Sequence, residues 1–216
     1  MSVPSQLRSK EVGEAIRWLS ASDPKLAKVI RSVGPCTLKV PRTFNVFGSL
    51  LQSIVYQQLA GKAAAAILGR VHAALGAGST PTPESVVALP ASVLRQAGLS
   101  RSKLAAIRDL AEKVLAGQVP TLPQLRRMSD EEIVEKLTAI RGVGRWTVEM
   151  LLIFRLGRPD VLPITDYGVR KGFGLVFQSG KLPDTAQMVR RGERWRPFRS
   201  VASWYLWRAL ELPPKP

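Results

Sequence analysis

One histidine, His72, and one cysteine, Cys36, narrow the chemistry open to this chain. Those counts exclude a multi-histidine zinc site, a histidine-based triad, an internal disulfide and a four-cysteine iron–sulfur cluster within it. Carboxylates, hydroxyls, lysines and aromatics remain. Two stretches place such groups where they could act. In Arg141-Gly142-Val143-Gly144-Arg145, the glycines allow a sharp turn and let a phosphate come close. A helix opening there points its N-terminal N–H groups and positive dipole end at that phosphate, and Arg141 and Arg145 add charge. A Gly-x-Gly between helices is, taken alone, more often just a tight turn. The second stretch is Pro163-Ile164-Thr165-Asp166-Tyr167-Gly168, which follows a Gly157-Arg158-Pro159-Asp160 loop. Asp166 there is either an ordinary N-cap or a functional carboxylate, and on this residue alone the ordinary cap is the stronger reading.

The charge balance names the kind of partner. The 216-residue chain carries a formal net charge of +16 with 45% hydrophobic residues, so it is a folded protein and not a basic tail. A folded protein this basic usually meets a polyanion. No apolar run is long enough to span a membrane, and no lipidation signal is visible. The first fourteen residues are polar and lack the apolar core of a signal peptide, which sets a cytoplasmic, nucleoid-associated location as the expectation.

The elements that must hold these groups read as helices. Asp23-Pro24, Thr82-Pro83, Ser129 with Glu132, and Asp184 with Gln187 are helix-start signals. Residues 50–75 read as one or two buried helices rich in alanine. Ile133, Leu137 and Ile140 form one apolar stripe before the glycine turn, and apolar residues resume at Trp146. Gly98 marks a second, similar turn. Strand-like alternation is confined to residues 36–40 and 43–47. The segment from Pro197 to Leu212 is aromatic-rich and helical in pattern.

Taken together, the hairpin Leu137-Thr138-Ala139-Ile140-Arg141-Gly142-Val143-Gly144-Arg145-Trp146-Thr147, the Gly/Pro loop and Asp166 resemble the helix-hairpin-helix–Gly/Pro–Asp DNA glycosylases. Within them the chain is most similar to the DNA-3-methyladenine glycosylase II, or AlkA-type, branch. Three more stretches carry the resemblance: Ser53 through Ala64, Ala97 through Lys103, and Trp195 through Ser200 with Trp204-Tyr205-Leu206-Trp207. It departs from the pattern at Arg141, where proline is common, and the compact form without an added β-rich domain is expected.

The resemblance implies an all-α fold of two helical lobes flanking a DNA-binding cleft. One lobe covers residues 46–156 and carries the helix-hairpin-helix, about 131–153. The other joins residues 1–45 to 157–216. It implies a monofunctional glycosylase acting as a monomer on duplex DNA with alkylated bases of the 3-methyladenine and 7-methylguanine type. Such an enzyme flips the damaged nucleotide out of the stack. Asp166 is then the catalytic carboxylate, stabilising an oxocarbenium-like sugar, activating water, or both. Gly142, Val143, Gly144, Arg141 and Arg145 grip the phosphate backbone. The Gln57-Gln58-Leu59 turn supplies the wedge, with the inserting side chain undecided; Gln57 reads equally as a buried amide. Trp146, Tyr167 and Trp207, with Trp204 in reserve, line the base pocket, where an indole face suits a cationic purine; for Trp146 and Trp204 the alternative is a core position, the commoner fate of a tryptophan on a helix.

Arg196 and Arg199, from the run that also holds Arg190, Arg191 and Arg194, match the family's C-terminal motif and are phosphate-contact candidates; a solvated helix face is the alternative. Relatives that also cleave the strand place a lysine two residues after the second hairpin glycine. Trp146 stands there, so base excision without lyase chemistry is expected. A monovalent cation on the hairpin carbonyls, residues 139–144, would be structural, and no other cofactor is implied. A non-catalytic helix-hairpin-helix binding module is the main alternative; it explains charge and hairpin but leaves Asp166 and its aromatic neighbours without a role.

Overall fold

A computed structural model describes residues 7, 9–76 and 81–213. Most of the polar N-terminal stretch before Ser9 lies outside them. All regular structure among the described residues is helical, and none of those helices is long and apolar enough to cross a membrane. Residues 36–40 and 43–45, read from sequence as weak strands, have no regular structure, and a helix begins at Val46. Alternation over five residues is too short a signal when no second strand exists to pair with it.

The chain divides into two compact units. The first, residues 42–148, holds α3 (Val46–Tyr56), α4 (Gly61–Leu75), α5 (Pro83–Ala88), α6 (Ala91–Gln96), α7 (Arg101–Leu115), α8 (Leu122–Arg127), α9 (Asp130–Thr138) and the start of α10 (Arg145–Leu151). Its centre is α7, which packs on α3 and α5. Ile107 and Leu110 of α7 are fully buried, as are Leu50, Leu51 and Ile54 of α3. Residues 50–75 do form two helices, but only the first is a buried one: α4 buries Ala64 and Val71 alone. Its other alanines face outward, where alanine serves helix propensity and not packing.

The second unit joins the N-terminal segment, up to Pro41, to residues 149–216. It contains α1 (Ser9–Ser22), α2 (Pro24–Val33), a π-helical turn (Leu152–Leu156) that continues α10, α11 (Tyr167–Phe177), α12 (Thr185–Gly192), a 3₁₀ turn (Glu193–Trp195) and α13 (Arg199–Ala209). The division falls at Val148, inside α10, against residue 156 in the sequence reading. The core lies around α13, whose residues from Ser200 through Leu206 are all buried. Leu19 and Leu26 from the N-terminal helices, Val169 and Phe173 of α11, and Trp195 complete it.

The start signals operate as read. Asp23 caps α2 through the Lys25 and Leu26 amides. Thr82 with Ser85, Ser129 with Glu132, and Asp184 with Gln187 form reciprocal capping boxes. Each satisfies backbone donors that a helix start leaves open, at about 1 kcal/mol apiece.

Candidate functional site

In the first unit, α9 ends at Thr138 and α10 begins at Arg145, and the turn between them is the expected hairpin. Gly142 sits at φ +75, in the left-handed region. That backbone conformation favours glycine, and a Cβ there would also press on Ala106 Cβ of α7 at 3.1 Å. Buried Ile140 and Val143 anchor it, while Arg141, Gly142, Gly144 and Arg145 are exposed. Asp109 of α7 accepts the Arg141 amide at 2.7 Å and the Lys113 ammonium at 2.5 Å. Burial pushes its carboxyl up, but these donors outweigh that and hold it below the usual aspartate value. Arg145 meets Glu131 on the surface, at 2.6 Å, a pairing that costs little to exchange for a phosphate.

The Gln57-Gln58-Leu59 turn adjoins the hairpin. Gln57 Nε2 donates to the Gly142 carbonyl at 2.9 Å and to Thr147 Oγ1 at 3.3 Å. Its amide is therefore engaged inside the protein, while Gln58 and Leu59 are exposed. Gln58 stands at φ +56. Trp146, the second residue of α10, is 42% exposed and is not a core tryptophan.

In the second unit, Asp166 is the N-cap of α11. The N-cap reading of this residue holds. Its Oδ1 accepts the Val169 amide at 2.7 Å and the Trp207 Nε1–H at 2.8 Å, and Asp166 is only 8% exposed. A helix turn and an indole from α13 thus fix the direction of this carboxylate. Gly168 makes room for that arrangement: a Cβ on it would stand 2.7 Å from Trp207 Cδ1 and 3.2 Å from Asp166 Oδ1. Phe154, on the π-helical turn, packs its ring 5.5 Å from that of Trp207. The sequence reading passed over Phe154 and Gly168; the signal for the latter was a glycine two residues past the aspartate. Tyr167 is 65% exposed. Trp204 is 7% exposed and stands edge-on to Tyr205 at 5.0 Å. It is a core residue, facing inward on a helix buried nearly all round.

The loop before Asp166 is braced by α13. Ser200 Oγ donates to the Arg158 carbonyl at 2.6 Å and accepts the Val161 amide at 3.0 Å, and the Ser200 amide donates to the Pro159 carbonyl. Arg199 forks onto Asp160 at 2.6 and 3.0 Å, and Arg196 reaches Asp160 at 2.7 Å and Glu193 at 2.8 Å. Of the two arginines read from sequence as phosphate contacts, Arg199 keeps its guanidinium largely inside the protein, while Arg196, half exposed, pairs at the surface as Arg145 does. An aspartate in a half-buried loop needs a counter-charge, and these two supply it. Arg191 is likewise committed, to Asp23 at 2.8 and 2.9 Å. Arg190 and Arg194 are exposed.

Known proteins are similar to this chain in sequence and fold. The DNA-3-methyladenine glycosylase 1 of Schizosaccharomyces pombe is 39% identical over 77% of this chain and 73% of its own. Among solved structures, the S. pombe 3-methyladenine DNA glycosylase in complex with abasic DNA superposes with a TM-score of 0.82, at 35% identity, covering 92% of this chain and 97% of that one. A DNA-3-methyladenine glycosidase from Bacillus halodurans gives 0.81 at 37% identity, over 90% and 88%. Residues 51–197, from the middle of α3 through the hairpin and the Asp166 loop to just before α13, match a single family model, and the chain belongs to the HhH-GPD superfamily of base excision DNA repair proteins.

Proposed function

We propose that this protein is a monofunctional DNA glycosylase that releases alkylated purines, of the 3-methyladenine and 7-methylguanine type, from duplex DNA. The observation that carries the reading is the Asp166 carboxylate, nearly buried and aimed by Val169 and Trp207, in a chain of a base excision repair family with relatives named for 3-methyladenine.

The chemistry follows from the substrate. A purine alkylated at N3 or N7 carries positive charge and leaves without help from a general acid. The sugar is the group that needs stabilising, because it becomes cationic as the glycosidic bond lengthens. An ionised Asp166 stabilises that cation through space and orients or deprotonates the attacking water. Water's oxygen bonds to C1′ of the sugar, the C1′–N bond breaks, and the base departs with the bonding pair. The Trp207 indole, besides aiming Asp166, offers with Phe154 and Tyr167 an aromatic surface near that carboxylate. An electron-rich face of this kind favours cationic bases by about 0.5–2 kcal/mol.

The hairpin amides and Arg141 grip the backbone without reading sequence. With Gln57 latched to the hairpin, the wedge falls to Gln58 or Leu59. Trp146 at the lyase-lysine position predicts no strand cleavage. A monovalent cation at residues 139–144 fits the donor set, since backbone carbonyls are offered there, but Ile140 and Gly142 carbonyls already accept from the Val143 amide and Gln57. It would supplement a turn that protein donors already shape. One monomer acting on the nucleoid completes the proposal.

The test is base release from methylated duplex, comparing the wild type with Asp166→Asn. Asparagine keeps the cap, so the fold should persist while excision falls about 10²–10⁴-fold with duplex binding retained. If neither protein releases base and both bind duplex, the chain is a binding module.

A further inference from the structure

The turn between α3 and α4 is held from two sides, and one of the holders is a lysine with no part in the reaction described so far. Lys103, in the first turn of α7, donates from Nζ to the carbonyl oxygens of Val55 and Gln57, both at 2.7 Å. These are carbonyls at the C-terminal end of α3, where the helix itself provides no donor and where a cation also meets the negative end of the dipole. Burial against the first unit lowers the pKa of Lys103, as expected of an ammonium that has traded water for carbonyl oxygens. From the other side, the Gln57 amide grips Gly142 and Thr147 of the hairpin. Between the two, Gln58 is kept at φ +56 with its side chain in solvent, followed by exposed Leu59. A glutamine in that backbone region is strained, and such strain persists only where the surroundings over-determine it.

We infer that Lys103 is a positioning residue for base flipping: by clamping the Val55 and Gln57 carbonyls it holds the Gln58–Leu59 turn in the shape that enters the base stack, and, through Gln57, fixes that wedge to the phosphate-gripping hairpin. The inference rests on the glycosylase reading above. Grip and wedge then form one stiff piece, so seating the hairpin on the backbone places the wedge without a separate ordering step.

The experiment follows Lys103→Met and Lys103→Arg beside the wild type. It uses a duplex carrying a methylated purine next to 2-aminopurine, whose fluorescence rises when its neighbour leaves the stack. Lys103→Met should bind undamaged duplex within about twofold of the wild type, because the hairpin amides are untouched. It should lose most of the fluorescence rise and excise at least about tenfold more slowly at saturating enzyme. Lys103→Arg, which keeps a cation with several donors, should recover a substantial part of both. Asp166→Asn should behave oppositely, flipping but not cutting. The inference is overturned if Lys103→Met flips and excises like the wild type. It is also overturned if both Lys103 variants lose undamaged-duplex binding and melting temperature in proportion to excision, the mark of a merely structural residue. If the wild type neither flips nor excises, the glycosylase reading fails, and this inference falls with it.

Discussion

At the scale of single residues, the carboxylate is aimed by a glycine as much as by a tryptophan. The Trp207 Nε1–H reaches Asp166 only because residue 168 has no side chain; a methyl there would overlap the indole. Trp207→Phe removes the donor but keeps a ring against Phe154. Gly168→Ala keeps the donor and displaces it. Both should leave the fold intact and lower the excision rate by about 10–100-fold, the worth of a hydrogen bond to a charged group. The double variant should be scarcely worse than either single one, since each removes the same interaction. Additive losses would mean that Trp207 acts through base stacking and not through Asp166. Sequence reading reached Asp166 and Trp207 separately, by matching positions. It did not join them, because the link is a contact across forty-one residues whose only local trace is a small residue.

At the scale of elements, local chemistry was legible and tertiary chemistry was not. Caps announce themselves within four residues, so Asp23, Thr82, Ser129 and Asp184 were read correctly. The alanines of α4 signalled helix but not burial. Nor could periodicity sort Trp204 from Trp207: residues 200–206 are buried all round, so α13 presents no polar face to set the phase. The partners of the arginines were hidden for a related reason. A charged side chain reads as solvated until the opposing carboxylate, here Asp160, is known to lie beside it. The brace between α13 and the Asp166 loop is open to a direct test. Ser200→Ala strips partners from the Val161 amide and the Arg158 carbonyl, both in a buried setting. It should cost about 2 kcal/mol in a urea melt and slow excision at saturating DNA, because the loop that carries Asp166 loosens. Unchanged stability would show that water replaces the hydroxyl there and that Arg199, Arg196 and the residue-200 amide suffice to hold the loop.

At the scale of the whole molecule, the charge that pointed to a polyanion also hides the few carboxylates that hold the protein together. Asp23 is fully buried; it caps α2, binds Arg191 of α12 and accepts the Trp195 indole N–H at 3.1 Å. Burial alone would raise its pKa, but the Arg191, Trp195 and Leu26 donors prevail and set it below the ordinary 3.8. A carboxyl whose folded pKa lies below its unfolded one contributes stability that is complete above the unfolded value, about 3.9, and is lost as pH falls through the folded value. Asp109, behind the hairpin, has the same sign. The wild type should therefore keep its stability from neutral pH to about pH 5 and lose it below about pH 4. Asp23→Asn should be weaker at pH 7 by about 3 kcal/mol, the usual cost of leaving one member of a buried ion pair alone. Its acid loss should be shallower, because the charge whose neutralisation drives that loss is already gone. Denaturant melts at pH 7, 5, 4 and 3 check both statements. Parallel curves for the two proteins would remove Asp23 as the acid-sensitive group and move the assignment to Asp109, in which case hairpin-dependent DNA binding would fail at low pH before the second unit unfolds.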